Sequence, residues 1–257
     1  MRFTHRLRRW LRFAVMICLM FPFGLNAQTI DDLIFLTEQY PPYNFLEDGE
    51  VRGISVDLLM LILEHTKSKQ TRNDIQLGPW ARGYRTVLNR PNTCLFSMTR
   101  TDARDPLFKW VGPIILTRIA LIAKKDRAIT IQAIKDVVPY KIGVVIDDIG
   151  EQQLQETGLP LTVERLAGVD VTRRSLKKLQ AGRIDLWAYE EFVAKFAMET
   201  YGFDPDKYET VYTLAEGELY YACHKETPSI VIHQLQQAID DLKALGKLKK
   251  IVNSYLK

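Results

Sequence analysis

Short apolar runs alternate with segments of helical periodicity along most of this 257-residue sequence, and this alternation limits the possible folds more than any other feature. The runs typical of buried strands are Leu33–Thr37, Ile75–Leu77, Cys94–Met98, Ile119–Ala123, Lys141–Ile146, Leu161–Leu166, Ile184–Ala188 and Leu219–Cys223. The helical segments are Val56–His65, Trp80–Leu88, Ile131–Val137, Glu151–Glu156, Val171–Gln180, Phe192–Thr200, Ser229–Leu245 and Lys247–Tyr255. Strands that alternate with helices predict an α/β fold with mostly parallel sheets. A second structural unit is expected to begin near Thr117.

The N-terminus has the layout of a secretory signal. The segment Met1–Arg12 carries five arginines and no acidic residue, and it precedes the apolar run Phe13–Leu25. A membrane anchor is the alternative, but this run is shorter than the about 20 residues that a spanning helix needs, and Pro22 and Gly24 interrupt it. We therefore expect a signal peptide over residues 1–27, cleavage after Ala27 and a mature protein in the periplasm.

Charge and composition exclude several classes of function. The chain has 35 Lys+Arg against 31 Asp+Glu, and removal of the five signal arginines leaves 30 against 31. Because no basic stripe with interleaved aromatic residues occurs, we expect no nucleic-acid partner. The sequence has no CxxC or HExxH spacing and its four histidines are scattered, so we expect no metal and no other cofactor. We expect the mature chain to be a monomer.

The mature chain would keep two cysteines, Cys94 and Cys223. An oxidising compartment permits a disulfide between them. Each cysteine lies in an apolar stretch, however, where a free cysteine packs as a small buried hydrophobic residue. Two separate buried thiols are the favoured interpretation, with a disulfide as the alternative.

Aromatic and charged side chains follow several of the predicted strands. In parallel sheets, ligands bind beyond the carboxyl ends of the strands. The residues in such positions are Tyr40 and Tyr43 after the first strand, Trp80 after Ile75–Leu77, Thr99 and Arg104 after Cys94–Met98, and Glu190 after Ile184–Ala188. An arginine fork for a carboxylate, a carboxylate for an ammonium group and flat aromatic walls suit a small zwitterion.

Each of these residues also has a purely structural interpretation. Tyr43 could pack over a sheet edge beside the prolines, and Trp80 could belong to the core. Arg104 could form surface ion pairs with neighbouring acidic residues, which contribute little stability. Glu190 could be solvated next to Glu191. Their shared placement after strands favours the ligand site.

Four segments carry motifs that resemble one family when they are taken together in chain order. They are Tyr40-Pro41-Pro42-Tyr43 with the following Gly53-Ile54-Ser55-Val56-Asp57-Leu58, Ser97–Arg104, Gly182–Glu190 and Leu242–Ile251. They resemble the YPPF loop and GxxxDL helix start, the GMTxTxxR segment, the GxxDAxxxD segment and the C-terminal signature of the amino-acid-type (family 3) periplasmic solute-binding proteins of ABC transporters. The resemblance covers essentially the whole mature chain, which would be a divergent branch.

The resemblance implies a type II periplasmic-binding-protein fold with two α/β lobes joined by two crossing strands, closing on its ligand by hinge motion. Lobe one would be residues 28–116 and 219–257, and lobe two residues 117–218. By motif position, Tyr40 and Trp80 would form aromatic walls and Glu190 would hold the ligand's amino group. Arg104, with the Thr99 hydroxyl beside it, would bind a carboxylate.

The segment Gly143–Gly150 departs from the family's pattern. Asp147 and Asp148 stand where the family has the glycine and threonine residues that help to hold a carboxylate. We expect Asp148 to line the site and to disfavour an anion there, which favours a more cationic ligand.

The expected function is capture of a small polar ligand, an amino acid or a related amine or carboxylate, for the inner-membrane permease of an ABC-type importer, with no catalysis. One alternative is a protein that presents its ligand to a sensor or chemoreceptor. The other is a periplasmic lyase or dehydratase on the same fold. In that enzyme Glu190, or Asp147 with Asp148, would act as a general acid or base.

Overall fold

The computed structural model describes residues 29–255, so the predicted secretory signal lies outside the described residues. The strands are Ile34–Thr37 (β1), Phe45–Glu47 (β2), Glu50–Arg52 (β3), Gln76–Leu77 (β4), Thr93–Thr99 (β5), Phe108–Val111 (β6), Leu116–Lys124 (β7), Lys141–Val145 (β8), Thr162–Leu166 (β9), Leu186–Glu190 (β10) and Tyr208–His224 (β11). The α-helices are Ile54–His65 (α1), Trp80–Asn89 (α2), Ile149–Glu156 (α3), Val171–Gln180 (α4), Glu191–Thr200 (α5), Ser229–Ala244 (α6) and Lys247–Tyr255 (α7). Among these described residues, no helix is long and apolar enough to cross a bilayer.

Most predicted elements are present with shifted ends. The short strands β2, β3 and β6 were not predicted, and the predicted helix Ile131–Val137 is only a 3-10 turn, Ile134–Val137. The predicted strand Leu219–Cys223 is the last part of β11, which begins at Tyr208. Its early part carries exposed polar residues, so it lacks the continuous apolar run that marks a buried strand.

Strand β11 connects two groups of strands into one sheet. Within residues 29–255 the sheet has nine strands in the order β4-β1-β5-β11-β7-β10-β8-β9, and β6 also pairs with β11. Residues 219–224 of β11 pair with β5 and β6, whereas residues 208–218 pair with β7. We call β7 and β11 the crossing strands, residues 29–115 and 219–255 the first half, and residues 125–207 the second half.

The strand directions agree with the predicted α/β class. In the first half β1 runs parallel to β4 and β5, and in the second half β8 runs parallel to β9 and β10. The pairs that involve the crossing strands are antiparallel. Parallel strands in both halves place the carboxyl ends of β1, β5 and β10 at the boundary between the halves.

The loop after β1 is held against the start of α1. The amides of Ile54 and Ser55 donate to the carbonyls of Pro42 and Tyr43 at 3.0 and 2.9 Å. This close approach requires Gly53, because a Cβ atom there would lie 2.4 Å from the Tyr43 carbonyl oxygen and the residue has φ +121°. The helix start therefore fixes where the loop presents its tyrosines.

The favoured interpretation of Cys94 and Cys223 as separate thiols is wrong, because the two residues form a disulfide. They lie directly opposite each other on β5 and β11, and both are fully buried. The bond joins positions 129 residues apart in the chain. The disulfide forms because β5 and β11, which are distant in sequence, pair with each other. The local composition around each cysteine does not predict this pairing.

Replacing Cys94 and Cys223 together by alanine is expected to destabilise the protein by about 4–5 kcal/mol. Without the cross-link, the unfolded chain gains the conformational entropy that the long disulfide loop removes. Urea unfolding of the oxidised protein, the reduced protein and the double variant measures this difference. Reduced protein and double variant should agree to within about 1 kcal/mol. Equal stability of all three forms would contradict the prediction.

Candidate functional site

Tyr40 lies at the boundary between the halves, and its ring contacts aromatic residues of both. The ring centroid is 5.6 Å from that of Tyr43 in the same loop, and 5.6 Å from that of Tyr189 in an edge-on arrangement. Tyr189, in β10, stacks on Trp187 with centroids 4.5 Å apart. All four rings are buried. They form a continuous aromatic wall across the boundary. We call this boundary region between the two halves the cleft.

Arg104 is the buried guanidinium of the cleft, and its contacts reach both halves. Its Nη1 donates to the Thr99 carbonyl at 3.1 Å, and its Nε donates to Gln152 Oε1 of α3 at 2.8 Å. The guanidinium also lies over the rings of Trp80 and Tyr84, 5.6 and 5.3 Å from their centroids. Burial lowers the pKa of Arg104, and the negative charge of Asp148 is the main opposing influence.

The main-chain carbonyl of Asp147 connects the halves. It accepts a hydrogen bond from Trp80 Nε1 at 2.9 Å and a longer one from Arg104 Nη2 at 3.4 Å. The Asp147 side chain forms an ion pair with Arg85 at 3.0 Å. Asp147 has φ +62°, in the left-handed region, and its own amide donates to Glu151 at 2.8 Å. The turn after β8 therefore presents an acceptor to the first half.

Acidic groups outnumber basic groups among the described residues buried in the cleft. Three of these residues, Glu38, Asp148 and Glu190, carry carboxyl groups, and one, Arg104, carries a guanidinium. Burial raises the pKa of Glu38 well above its ordinary value, and the neighbouring charge of Asp148 adds to this rise. Burial also raises the pKa of Asp148, with Arg104 opposing. Buried carboxylates without cations to pair with are costly.

Glu190 is the last residue of β10 and the N-cap of α5. One carboxylate oxygen accepts the Val193 amide at 2.6 Å, and the other lies 3.5 Å from both the Tyr43 hydroxyl and the Arg118 amide. All of these partners are neutral groups. Burial raises the pKa of Glu190 to about 7, although the hydrogen bonds from the Val193 and Arg118 amides lower it. Near neutral pH, a cation placed here would favour the ionised carboxylate.

The structure brings the seven predicted site residues together. Tyr40, Tyr43, Trp80, Thr99, Arg104, Asp148 and Glu190 are all buried at or beside the cleft. Thr99 contacts Arg104 through its main-chain carbonyl. The Asp148 side chain accepts the Ile149 amide at 2.7 Å and so caps α3.

Sequence reasoning missed Glu38, Tyr84, Gln152 and Tyr189. Glu38 directly follows β1, so the rule that selected Tyr40 also applies to it. Tyr189 lies inside β10, next to Glu190. Tyr84 and Gln152 lie one turn inside α2 and α3, where only the packing of the two halves gives them a role.

Comparisons with known proteins agree with this architecture. The model of the bacterial extracellular solute-binding proteins, family 3, matches residues 33–257. No curated protein sequence matches the chain.

The solved structures that are similar to the chain include the following three. A histidine kinase sensor domain with similarity to periplasmic binding proteins is 18% identical, with 87% of this chain and 96% of that chain covered and a TM-score of 0.76. An ancestral arginine-binding protein bound to arginine is 21% identical (88% and 98% covered, TM-score 0.72). The substrate-binding protein of an ABC uptake transporter from Streptococcus pneumoniae, with bound histidine, is 17% identical (88% and 93% covered, TM-score 0.75). These likenesses confirm the predicted periplasmic-binding-protein fold.

The ligand-free protein is expected to lose stability as the pH rises from about 4.5 to about 7. The folded state holds the Glu190 proton more tightly than the unfolded chain does. The resulting stabilisation is therefore complete below pH about 4.5 and is lost as the pH rises to about 7. It amounts to about 3 kcal/mol. Glu38 and Asp148 act in the same direction.

Urea unfolding of Glu190→Gln across this pH range tests the assignment, because glutamine keeps an acceptor for the Val193 amide and cannot ionise. The variant should show a shallower loss of stability than the wild type. Glu199→Gln, at an exposed position on α5, is the control and should keep the wild-type slope. An unchanged slope in Glu190→Gln would contradict the prediction.

Proposed function

Because this chain belongs to the bacterial extracellular solute-binding proteins, family 3, we propose that it captures a small solute with an ammonium group, an amino acid or a related amine, in the cleft between its two halves. The proposed binding includes no covalent step. Members of the family and two of the similar solved structures are binding proteins.

The observation that carries this proposal is the excess of buried carboxyl groups in the cleft. Glu38, Asp148 and Glu190 share the cleft with Arg104 as the buried cation. A cationic ligand group would pair with a carboxylate that is otherwise desolvated, whereas an anion would add to the imbalance. The names of two similar structures, which bind arginine and histidine, agree with an amine-bearing ligand.

Each cleft residue has a role in this proposal. Glu190 accepts hydrogen bonds from the ligand's ammonium group, and Asp148 adds negative charge near it. Tyr40, Tyr43 and Trp80 form flat walls that attract a cation.

Arg104 takes the ligand's carboxylate where the ligand has one, with Thr99 beside it. To do so, its Nε would exchange the Gln152 oxygen, at 2.8 Å, for a carboxylate oxygen. This exchange replaces a neutral acceptor with a charged one, which forms a stronger hydrogen bond.

The proposed setting is the periplasm, where the loaded protein would deliver its solute to the permease of an ABC-type importer. The similar solved structures include both an ABC uptake transporter's binding protein and a sensor domain. Adjacent genes for a permease and an ATPase would favour transport, and their replacement by a sensor gene would favour signalling. Mass spectrometry of small molecules released from the denatured protein identifies a retained ligand.

Removing the charge of Glu190 is expected to weaken binding of amine ligands about 10- to 100-fold, because a hydrogen bond to a charged partner is lost. A thermal-shift screen of amino acids, diamines and small organic acids finds the ligand, and calorimetry compares wild type with Glu190→Gln. Glu199→Gln, at an exposed position on α5 away from the groove, should bind as the wild type does. A folded protein that shifts with none of these compounds, or with organic acids alone, would contradict the proposed function.

Replacing Arg104 by alanine is expected to weaken the binding of an amino acid more than the binding of the corresponding amine without a carboxylate. In both complexes the protein loses the contact of Arg104 with the second half. The amino acid also loses the charged partner of its carboxylate, which is worth about 10-fold in affinity or more. Calorimetry with lysine and cadaverine, or with arginine and agmatine, measures the difference. Equal losses for both members of a pair would remove Arg104 from carboxylate recognition.

A further inference from the structure

A groove of about 700 Å³ opens beside Glu190, between the two halves. Tyr43 lines it from the first half, and Phe192 and Lys195 of α5 line it from the second. The start of β7 and the middle of β11 also line it, through residues 116–118 and 216–218, together with Ile115. The groove adjoins the cleft at Tyr43 and Glu190 but is separate from the contacts of Arg104.

The inner end of the groove is polar. Glu190 is only 2% exposed there, and its hydrogen-bond partners are the neutral groups described above. Thr117, which also lines the groove, is 5% exposed. Its hydroxyl oxygen is buried without a hydrogen bond of good geometry among the described residues, but it lies close enough to the Glu190 carboxylate to lower the pKa of that group. A buried hydroxyl of this kind gains from a ligand that offers a hydrogen bond. An ammonium group has donors for both Glu190 and Thr117.

The walls between this inner end and the surface are mainly apolar. Tyr43 and Phe192 contact each other with tilted rings, whose centroids are 6.4 Å apart, and Ile115 also lines the groove. Leu116, at the mouth, is 75% exposed. Apolar walls of this kind gain stability from contact with a hydrocarbon stem.

The groove also carries exposed charges. Arg118 forms ion pairs with Glu191 at 3.2 Å and with Glu216 at 3.0 Å. The exposed Lys195 forms no ion pair among the described residues. Glu190 is the buried charge of the groove lining, and its complement is a cation.

We propose that this groove is a second subsite that holds the apolar arm of an amine ligand whose ammonium group contacts Glu190 and Thr117. The proposal rests on the proposed function and narrows its ligand class to alkyl or aralkyl amines. The groove's volume lies within the about 300–1,000 Å³ of typical ligand pockets, and a compact amino acid would leave most of it unfilled.

A series of n-alkylamines from propylamine to octylamine tests the proposal on the unmodified protein. Calorimetry should show affinity that rises about two- to fourfold with each added methylene group until the groove is filled. The n-alkyl carboxylates of equal length are the matched ligands, and they should not bind. Phe192→Ala should reduce the increase in affinity with stem length, while the affinity for the shortest amines should stay almost unchanged.

Thr117→Val should weaken every amine of the series by a similar factor, about threefold to tenfold, because the hydroxyl partner is lost and the shape is kept. Thr227→Val is the matched control, since the Thr227 hydroxyl is likewise buried without a partner among the described residues and Thr227 does not line the groove. This variant should bind as the wild type does.

The outcomes separate the subsite from the proposed function. If amino acids or short amines bind but affinity does not change with stem length, the groove is not a subsite and the proposed function stands. If the carboxylates show the same rise, the groove accepts any apolar arm and the amine class is wrong. If neither amines nor amino acids bind, both proposals fail.

Discussion

The pairing of β11 with β7 along one stretch and with β5 along the next determines where every part of the site lies. The disulfide between Cys94 and Cys223 fixes the end of β11 to β5, so this end moves with the first half. Strand β11 has two register irregularities where it pairs with β7 and one where it pairs with β5. Irregular pairing bends a strand. The irregular stretch along β7 lies beside the site, because Ala215 and Glu190 both pair with Ile119.

Electrostatics connects the packing of the two halves to the charge of a ligand. The halves bury Glu38, Asp148 and Glu190 where they meet, and a desolvated carboxylate must be paired, hydrogen-bonded or protonated. Burial raises the pKa of all three groups, which favours their protonated forms. In the proposed function, a bound ammonium group would favour the ionised carboxylates instead. The charge of the ligand and the packing of the halves would then be coupled through these three side chains.

The sequence was sufficient for the α/β class and for the residues that follow strands, because strand composition and chain position are local properties. The same rule would have found Glu38, which follows β1 as directly as Glu190 closes β10. The disulfide and strand β6 depend on pairing with β11, which is distant in the chain. The contact of Trp80 with Asp147 uses a main-chain carbonyl, and an acceptor that every residue carries leaves no mark in the sequence.

The contacts of Arg104 imply that the two ends of a ligand contribute unequally to selectivity. A ligand carboxylate has to replace the Gln152 oxygen at Arg104 Nε, a hydrogen bond that already exists at 2.8 Å. An ammonium group at Glu190 instead supplies a charge that the neutral amides and hydroxyl there do not provide. In the proposed function, a ligand would shift an equilibrium between open and closed states only by its difference in affinity for the two, and the amine end would have the larger share of that difference. The amine of a ligand would therefore contribute more to selectivity than its carboxylate.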